Sequence, residues 1–144
     1  MPYKHTQVGY VIIISMILAA LVVLALEAPI FLLVPGIVSI LFSTLTVSVE
    51  GEYVKLWFGP GFIHMQFPLS DIESCQVAKS RCWVWGIHGW PGKGWFFNVS
   101  GFRFVELKIR GDGKYYIGTD QPEALEKAIQ GAMHGVLRRS LKPD

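Results

Sequence analysis

The stretch VGYVIIISMILAALVVLAL, residues 8–26, carries the first decision about this chain, because its nineteen residues include no charge. At about 1.5 Å of helical rise per residue it reaches about 28 Å, close to the roughly 30 Å hydrocarbon thickness of a bilayer. A second uncharged run, residues 30–49, follows after only Glu27-Ala28-Pro29. So short a connection forces an antiparallel helical hairpin. Pro29 suits a first helical turn, where its missing N–H has no partner in any case. Pro35-Gly36 predicts a kink in the second helix, a feature bilayer helices tolerate. The first run is longer than the about 7–15 apolar residues of a secretory leader, and a second apolar run follows at once, so the segment reads as retained. Ser15, Ala19, Gly36, Ser39 and Ser43 recur at helical spacing. They either let the two helices approach closely or reflect the ordinary abundance of small residues in such helices.

Outward from this stretch the composition divides. The chain is 51% hydrophobic and 17% charged, where an ordinary globular domain carries about 25% charged residues, which excludes disorder. Residues 8–49 hold one charged side chain, Glu27, while residues 50–144 hold ten of eleven acids and twelve of thirteen Lys and Arg. Lys4 precedes the first run and Lys55, Lys79 and Arg81 follow the second. Basic residues near a bilayer stay on the cytoplasmic side. The expected organisation is therefore a tail at 1–7, a transmembrane hairpin at 8–49 and a cytoplasmic domain at 50–144. This places the chain in the inner (cytoplasmic) membrane as a multi-pass protein with both termini in the cytoplasm.

From residue 46 the apolar period changes from helical to alternating. TVSVE (46–50) and YVKLWF (53–58) flank Gly51-Glu52 as a hairpin. Gly59-Pro60-Gly61 is a second turn before a strand at 62–67, and Pro68-Leu69-Ser70-Asp71 has the residues turns require. Strands are expected at 72–81 and 95–99, separated by a loop at 83–94 rich in Gly and Trp. Strands at 102–110 and 114–118 flank Gly111-Asp112-Gly113, a strong hairpin signal. Asp120-Gln121-Pro122-Glu123 then opens a helix over about 121–139. Its row Ala124, Ala128, Ala132, Val136 lies beside Leu125, Ile129, Met133 and Leu137, one apolar stripe at period 3.6. The expected fold is a membrane α-hairpin plus a mainly-β barrel of about seven antiparallel strands, capped by a C-terminal α-helix.

Several segments carry a resemblance. Trp57-Phe58-Gly59-Pro60-Gly61, Phe67-Pro68-Leu69-Ser70-Asp71-Ile72, Gly94-Trp95-Phe96-Phe97-Asn98-Val99-Ser100-Gly101 and Ile117-Gly118-Thr119-Asp120-Gln121-Pro122-Glu123, following two apolar runs, resemble bacterial membrane proteins with a pleckstrin-homology-like (PH-like) domain. The resemblance covers nearly the whole chain. It implies a PH-like barrel and supplies no catalytic residue, because its motifs are turn and core residues.

Chemistry is sparse elsewhere. Cys75 and Cys82 are separated by an odd offset and would face opposite sides of one strand, which opposes a disulfide. With His64 and His88 they compose a formal four-ligand zinc set, but without CxxC or HxxxH spacing, so no metal and no cofactor is expected. Asp71 and Glu73 share a strand face, yet no nucleophile or phosphate-binding loop accompanies them. Twelve basic against ten acidic residues after position 50, with no basic tract, exclude nucleic acid.

The segment KSRCWVWGIHGWPGKGWFF (79–97) stands out. Four of five Trp fall within positions 83–95, interleaved with cations. Trp83, Trp85 and Trp95 either alternate into the core or, with Trp90, rest on a bilayer surface or a partner protein. On an up-and-down meander this loop and Gly111-Asp112-Gly113 both fall on the hairpin side of the domain. The candidate contact residues are Lys79, Arg81, Trp83, Trp85, His88, Trp90 and Lys93. The expected function is a non-enzymatic interaction or scaffold module that contacts the lipid bilayer and another protein, with no small-molecule substrate. The alternatives are an anionic-lipid-headgroup-sensing module and an accessory subunit of a membrane transport complex.

Overall fold

The computed structural model describes residues 3–79, 86–92, 94–99 and 101–142. Among these residues two β-sheets and a C-terminal helix form one core, and a helical hairpin projects from it. Nine strands are present: β1 (Tyr3–Val8), β2 (Thr44–Glu50), β3 (Tyr53–Phe58), β4 (Ile63–Pro68), β5 (Ile72–Lys79), β6 (Gly86–Trp90), β7 (Gly94–Asn98), β8 (Arg103–Ile109) and β9 (Gly113–Gly118). The helices are α1 (Tyr10–Ala25), α2 (Leu33–Phe42) and α3 (Pro122–Ser140), with a 3-10 turn at Pro29–Leu32 before α2.

The first sheet runs β1-β2-β3-β4 and is antiparallel throughout. Alternation in β3 puts Val54, Leu56 and Phe58 into the core at no more than 1% exposure, opposite Leu45, Val47 and Val49 of β2. The second sheet runs β5-β8-β9-β7-β6. Between them the chain makes a 3-10 turn at Leu69–Asp71, whose ends are tied to each sheet. Leu69 N donates to Glu52 O at 2.8 Å and Arg110 N donates to Asp71 O at 2.8 Å. Helix α3 covers the core with Leu125 and Ile129, both fully buried.

Three expectations are corrected here. First, among the described residues no ladder joins the two sheets, so they are not closed into a barrel. Second, the strands are not all antiparallel, since β7 and β9 pair in parallel with Trp95 opposite Tyr115 and Phe97 opposite Ile117. The β8–β9 hairpin turns β9 so that its free edge receives β7, and the chain crosses from β7 to β8 over a corner held by Asn98. That buried amide donates from Nδ2 to Gly101 O at 2.9 Å. A Cβ on Gly118 would collide with the Asn98 side chain, which fixes glycine at that corner. Third, among the described residues no helix is long and apolar enough to cross a membrane.

The third correction has a local cause. The apolar run 30–49 is not one helix. α2 stops at Phe42 after ten residues, and the β-branched alternation that follows is taken by β2. Burial of Leu45, Val47 and Val49 between the sheets outweighs helical continuation, because β-branched residues pack well on a pleated surface. Helix α1 has sixteen residues, about 24 Å, and α2 about 15 Å. Both fall short of about 30 Å of hydrocarbon. The transmembrane hairpin at 8–49, and with it the multi-pass inner-membrane placement with both termini cytoplasmic, is therefore overturned. Lys4, one of the charges used for that orientation, lies in β1 with Nζ 5.5 Å from the Trp57 ring centroid.

The expected tail at 1–7 is instead mostly β1, paired in register from Tyr3–Val49 to Val8–Thr44. At the base of the hairpin Gly9 N donates to Ser43 O at 2.6 Å and Gly59 N donates to Thr44 O at 2.9 Å. Gly59 has φ +49, and a Cβ there would strike the Ile40 carbonyl, so the β3–β4 turn sits directly against the end of α2.

Candidate interaction surfaces

Two regions present surface that the core does not use. The first is the hairpin. Its sequence is apolar on every side, so α1 buries only Ile12 and α2 only Pro35. Twenty large hydrophobic residues are exposed among the described residues, and fourteen of them lie between Tyr10 and Ile40, each at least 54% exposed. At about 100° per residue, the exposed α1 positions from Tyr10 to Leu24 sweep about 160° of its circumference. Its polar side chains offer little outward. Ser15 Oγ donates to Val11 O and Ser39 Oγ to Pro35 O, each at 2.7 Å, so both hydroxyls are absorbed by their own helices. Glu27, the one charge, sits at the tip with φ 54, and the turn is closed by Glu27 N donating to Leu24 O at 3.1 Å.

The second region is the Trp-rich segment. Residues 86–90, expected as loop, form β6, which pairs with β7 across a turn containing Pro91-Gly92. Arg81, Trp83, Trp85 and Lys93 lie outside the described residues. Lys79 ends β5 opposite Arg103 and is exposed; His88 is exposed in β6 opposite Phe96. Trp90 pairs with Gly94. Because β5 and β6 are the opposite edges of the second sheet, Lys79 and His88 stand four strand spacings apart and do not form one patch. Trp95, one of the residues that alternation would send inward, is half exposed and packs its ring against Gly89. Its neighbours Phe96 and Phe97 are the buried ones, on opposite faces of β7. Phe97 joins the main core, and Phe96 stacks on Tyr116 at 4.4 Å and meets Phe104 edge-on.

Strand direction places this segment differently from the meander expectation. β6 starts beside the hairpin, where a Cβ on Gly86 would sit 3.6 Å from the Phe42 ring. Four residues on, about 13 Å away, the Trp90–Gly94 end meets the Gly111–Gly113 turn. There Gly89, Pro91, Gly92, Gly94, Trp95, Asp112, Gly113 and Lys114 line an open cleft of about 580 Å³. The two loops do lie together, but on the side away from the hairpin base.

The remaining candidates are structural. Cys75 is buried, and burial, followed by the nearby Glu126 charge, pushes its thiol up to about 12. Tyr115 is likewise pushed up to about 12, by burial and then by its hydroxyl donating to Asp112 Oδ2 at 2.7 Å. Cys82 lies outside the described residues. Asp71 closes the 3-10 turn, whereas Glu73 reaches Lys108 Nζ at 3.3 Å, so the two carboxylates are not paired. A register shift between Ile72 and Ser74 breaks the alternation that would have aligned them. Among the described residues no group of three or more His, Cys, Asp or Glu is placed to hold a metal ion. Sequence reasoning missed β1, whose His5 Nε2 lies 2.5 Å from Asp120 Oδ1 and ties the N-terminal strand to the entry of α3. Comparison with models of protein families and with curated proteins finds no match to this chain.

Proposed function

We propose that this protein is a non-catalytic interaction module, a PH-like β domain whose inserted helical hairpin is held in the acyl chains of a lipid bilayer without crossing it. The observation that carries the reading is the exposed apolar surface of residues 10–42. Burying a large apolar side chain is worth about 1.5–3 kcal/mol. Fourteen such side chains left more than half in water therefore forgo on the order of 10–20 kcal/mol, as much as the whole stability of an ordinary domain. A partner helix covers a stripe of about 100°. The exposed arc of α1 is wider than that, and α2 adds a second outer arc. Hydrocarbon surrounds a hairpin on all sides, which a single protein partner does not.

The test is flotation of the full chain, exchanged from detergent into vesicles of neutral phosphatidylcholine. The expected result is flotation that persists in high salt and needs no anionic lipid. Flotation only with anionic vesicles would replace the proposal by headgroup sensing through the basic residues of 79–93. Failure to float with either composition would overturn it.

A further inference from the structure

The face of the first sheet that is turned away from the core sets a buried hydroxyl between two lysines. In β2 Leu45, Val47 and Val49 point inward, so Thr46 and Ser48 point outward, yet both are buried, Ser48 at 1% exposure. Their hydroxyls differ. Thr46 Oγ1 shares a hydrogen bond with Thr6 Oγ1 at 2.8 Å, whereas Ser48 Oγ is buried with no partner. An unpaired buried hydroxyl is destabilising, and nearly all such groups in folded proteins meet a protein atom, a water or an ion. The residues level with Ser48 on either side are Lys4 of β1 and Lys55 of β3. Their Cα atoms stand two strand spacings apart, about 10 Å, and the four-carbon stem of each lets both ammonium groups lean over the middle strand. Among the described residues neither lysine has a carboxylate at ion-pair distance. Glu50, two residues beyond Ser48 on the same face, is exposed at the end of β2. Lys4 instead has its Nζ 5.5 Å from the Trp57 ring centroid, a contact that keeps its cation against the sheet.

We infer that Lys4, Ser48 and Lys55 form a binding site for a phosphate monoester. Ser48 Oγ donates to one phosphate oxygen and the two ammonium groups hold the others. A phosphate monoester carries close to two negative charges and three acceptor oxygens, which match two cations and a hydroxyl arriving from three sides. A carboxylate brings one charge and two oxygens in one plane, and leaves one lysine unmatched. Lys4 is exposed and Lys55 half-buried, so their flexible stems can part to admit the anion without backbone movement. The site stands whether or not the hairpin lies in lipid.

Thermal unfolding of the full chain in a non-ionic detergent tests the site, with inorganic phosphate compared against acetate and chloride at equal ionic strength. Phosphate should raise the melting temperature saturably, and the other two anions should not. Ser48→Ala removes the unpaired hydroxyl, so it should raise the phosphate-free melting temperature while weakening phosphate binding about tenfold. Lys55→Gln keeps the hydroxyl and should weaken phosphate binding by a similar factor. An equal response to acetate or chloride overturns the site, as does phosphate binding that either substitution leaves unchanged. A Ser48→Ala chain that melts lower without phosphate also overturns it, because the hydroxyl would then have a partner within the protein. Short-chain phosphatidic acid identifies the source of the phosphate group. Competition with inorganic phosphate that Ser48→Ala weakens assigns it to a lipid headgroup, and no competition assigns it to a soluble phosphate ester.

Discussion

Helices α1 and α3 make opposite use of hydrophobic residues. α1 is the more apolar by far, yet it buries one residue; α3 is mixed in composition and buries Pro122, Leu125 and Ile129. The difference is distribution. α3 gathers most of its apolar residues on one stripe, with Ala128, Ala132, Met133 and Val136 packed beside the buried pair while Ala124 and Leu137 of the expected stripe stay exposed, and puts Arg138 and Arg139 in its last turn, where the helix end is partly negative. α1 has no polar side to point at water, and only Ile12, with Met16 packed beside it, reaches the core. Amphipathicity, not hydrophobicity, marks a helix that completes a domain core.

The largest expected effect tests this contrast directly. Ile129→Ala should cost about 2–5 kcal/mol in denaturant unfolding of the detergent-solubilised chain, whereas Leu21→Ala should change it by less than about 0.5 kcal/mol. Equal losses would show that α1 belongs to the same cooperative core.

Alkali should next distinguish the regions, because the strongly shifted groups, Cys75 and Tyr115, both lie in the β core. Each is raised in the folded state, so the fold favours its protonated form. Their contribution is complete below the unfolded values near 9 and 10 and is lost as pH rises toward about 12. Unfolding free energy should therefore decline from about pH 9 upward, and Cys75→Ala should remove the earliest part of that decline. A flat profile from pH 9 to 11 contradicts the assignment. The smallest effect belongs to the surface. Lys108→Ala, which breaks the half-exposed pair with Glu73, should shift stability by no more than about 1 kcal/mol and should leave vesicle flotation unchanged.

What the sequence made legible follows the same division. Period 3.6 placed the C-terminal helix at about 121–139 against the observed Pro122–Ser140, and Asp-Gly marked the β8–β9 turn. The uncharged hairpin was also readable, but not its length. A continuous apolar run does not reveal where helix yields to buried strand, and TLTVSVE satisfied both until the sheets claimed it. β1 was illegible because YKHTQV has no apolar alternation; its order comes from pairing with β2, a long-range partner. The parallel β7–β9 pair is likewise a product of topology that no local pattern encodes. Of the seven candidate contact residues, the structure separates Lys79 from His88 by the width of a sheet. A basic–aromatic cluster along the chain is not a cluster in space once a strand order intervenes.

The Gly9–Ser43 hydrogen bond closes β1 onto β2 immediately beneath the hairpin. To the sheet, residues 10–42 are therefore one very long connection between neighbouring strands. Pairing Val8 with Thr44 closes a loop twelve times longer than pairing Glu50 with Tyr53, which for a flexible connection adds about 2 kcal/mol of entropy. On loop entropy alone β2–β3 is expected to pair before β1 does, with β1 joining after both helices of the insertion have turned the chain back. On that order β1 would close like a latch once the hairpin has folded, and its amides should be the first in the first sheet to exchange with solvent.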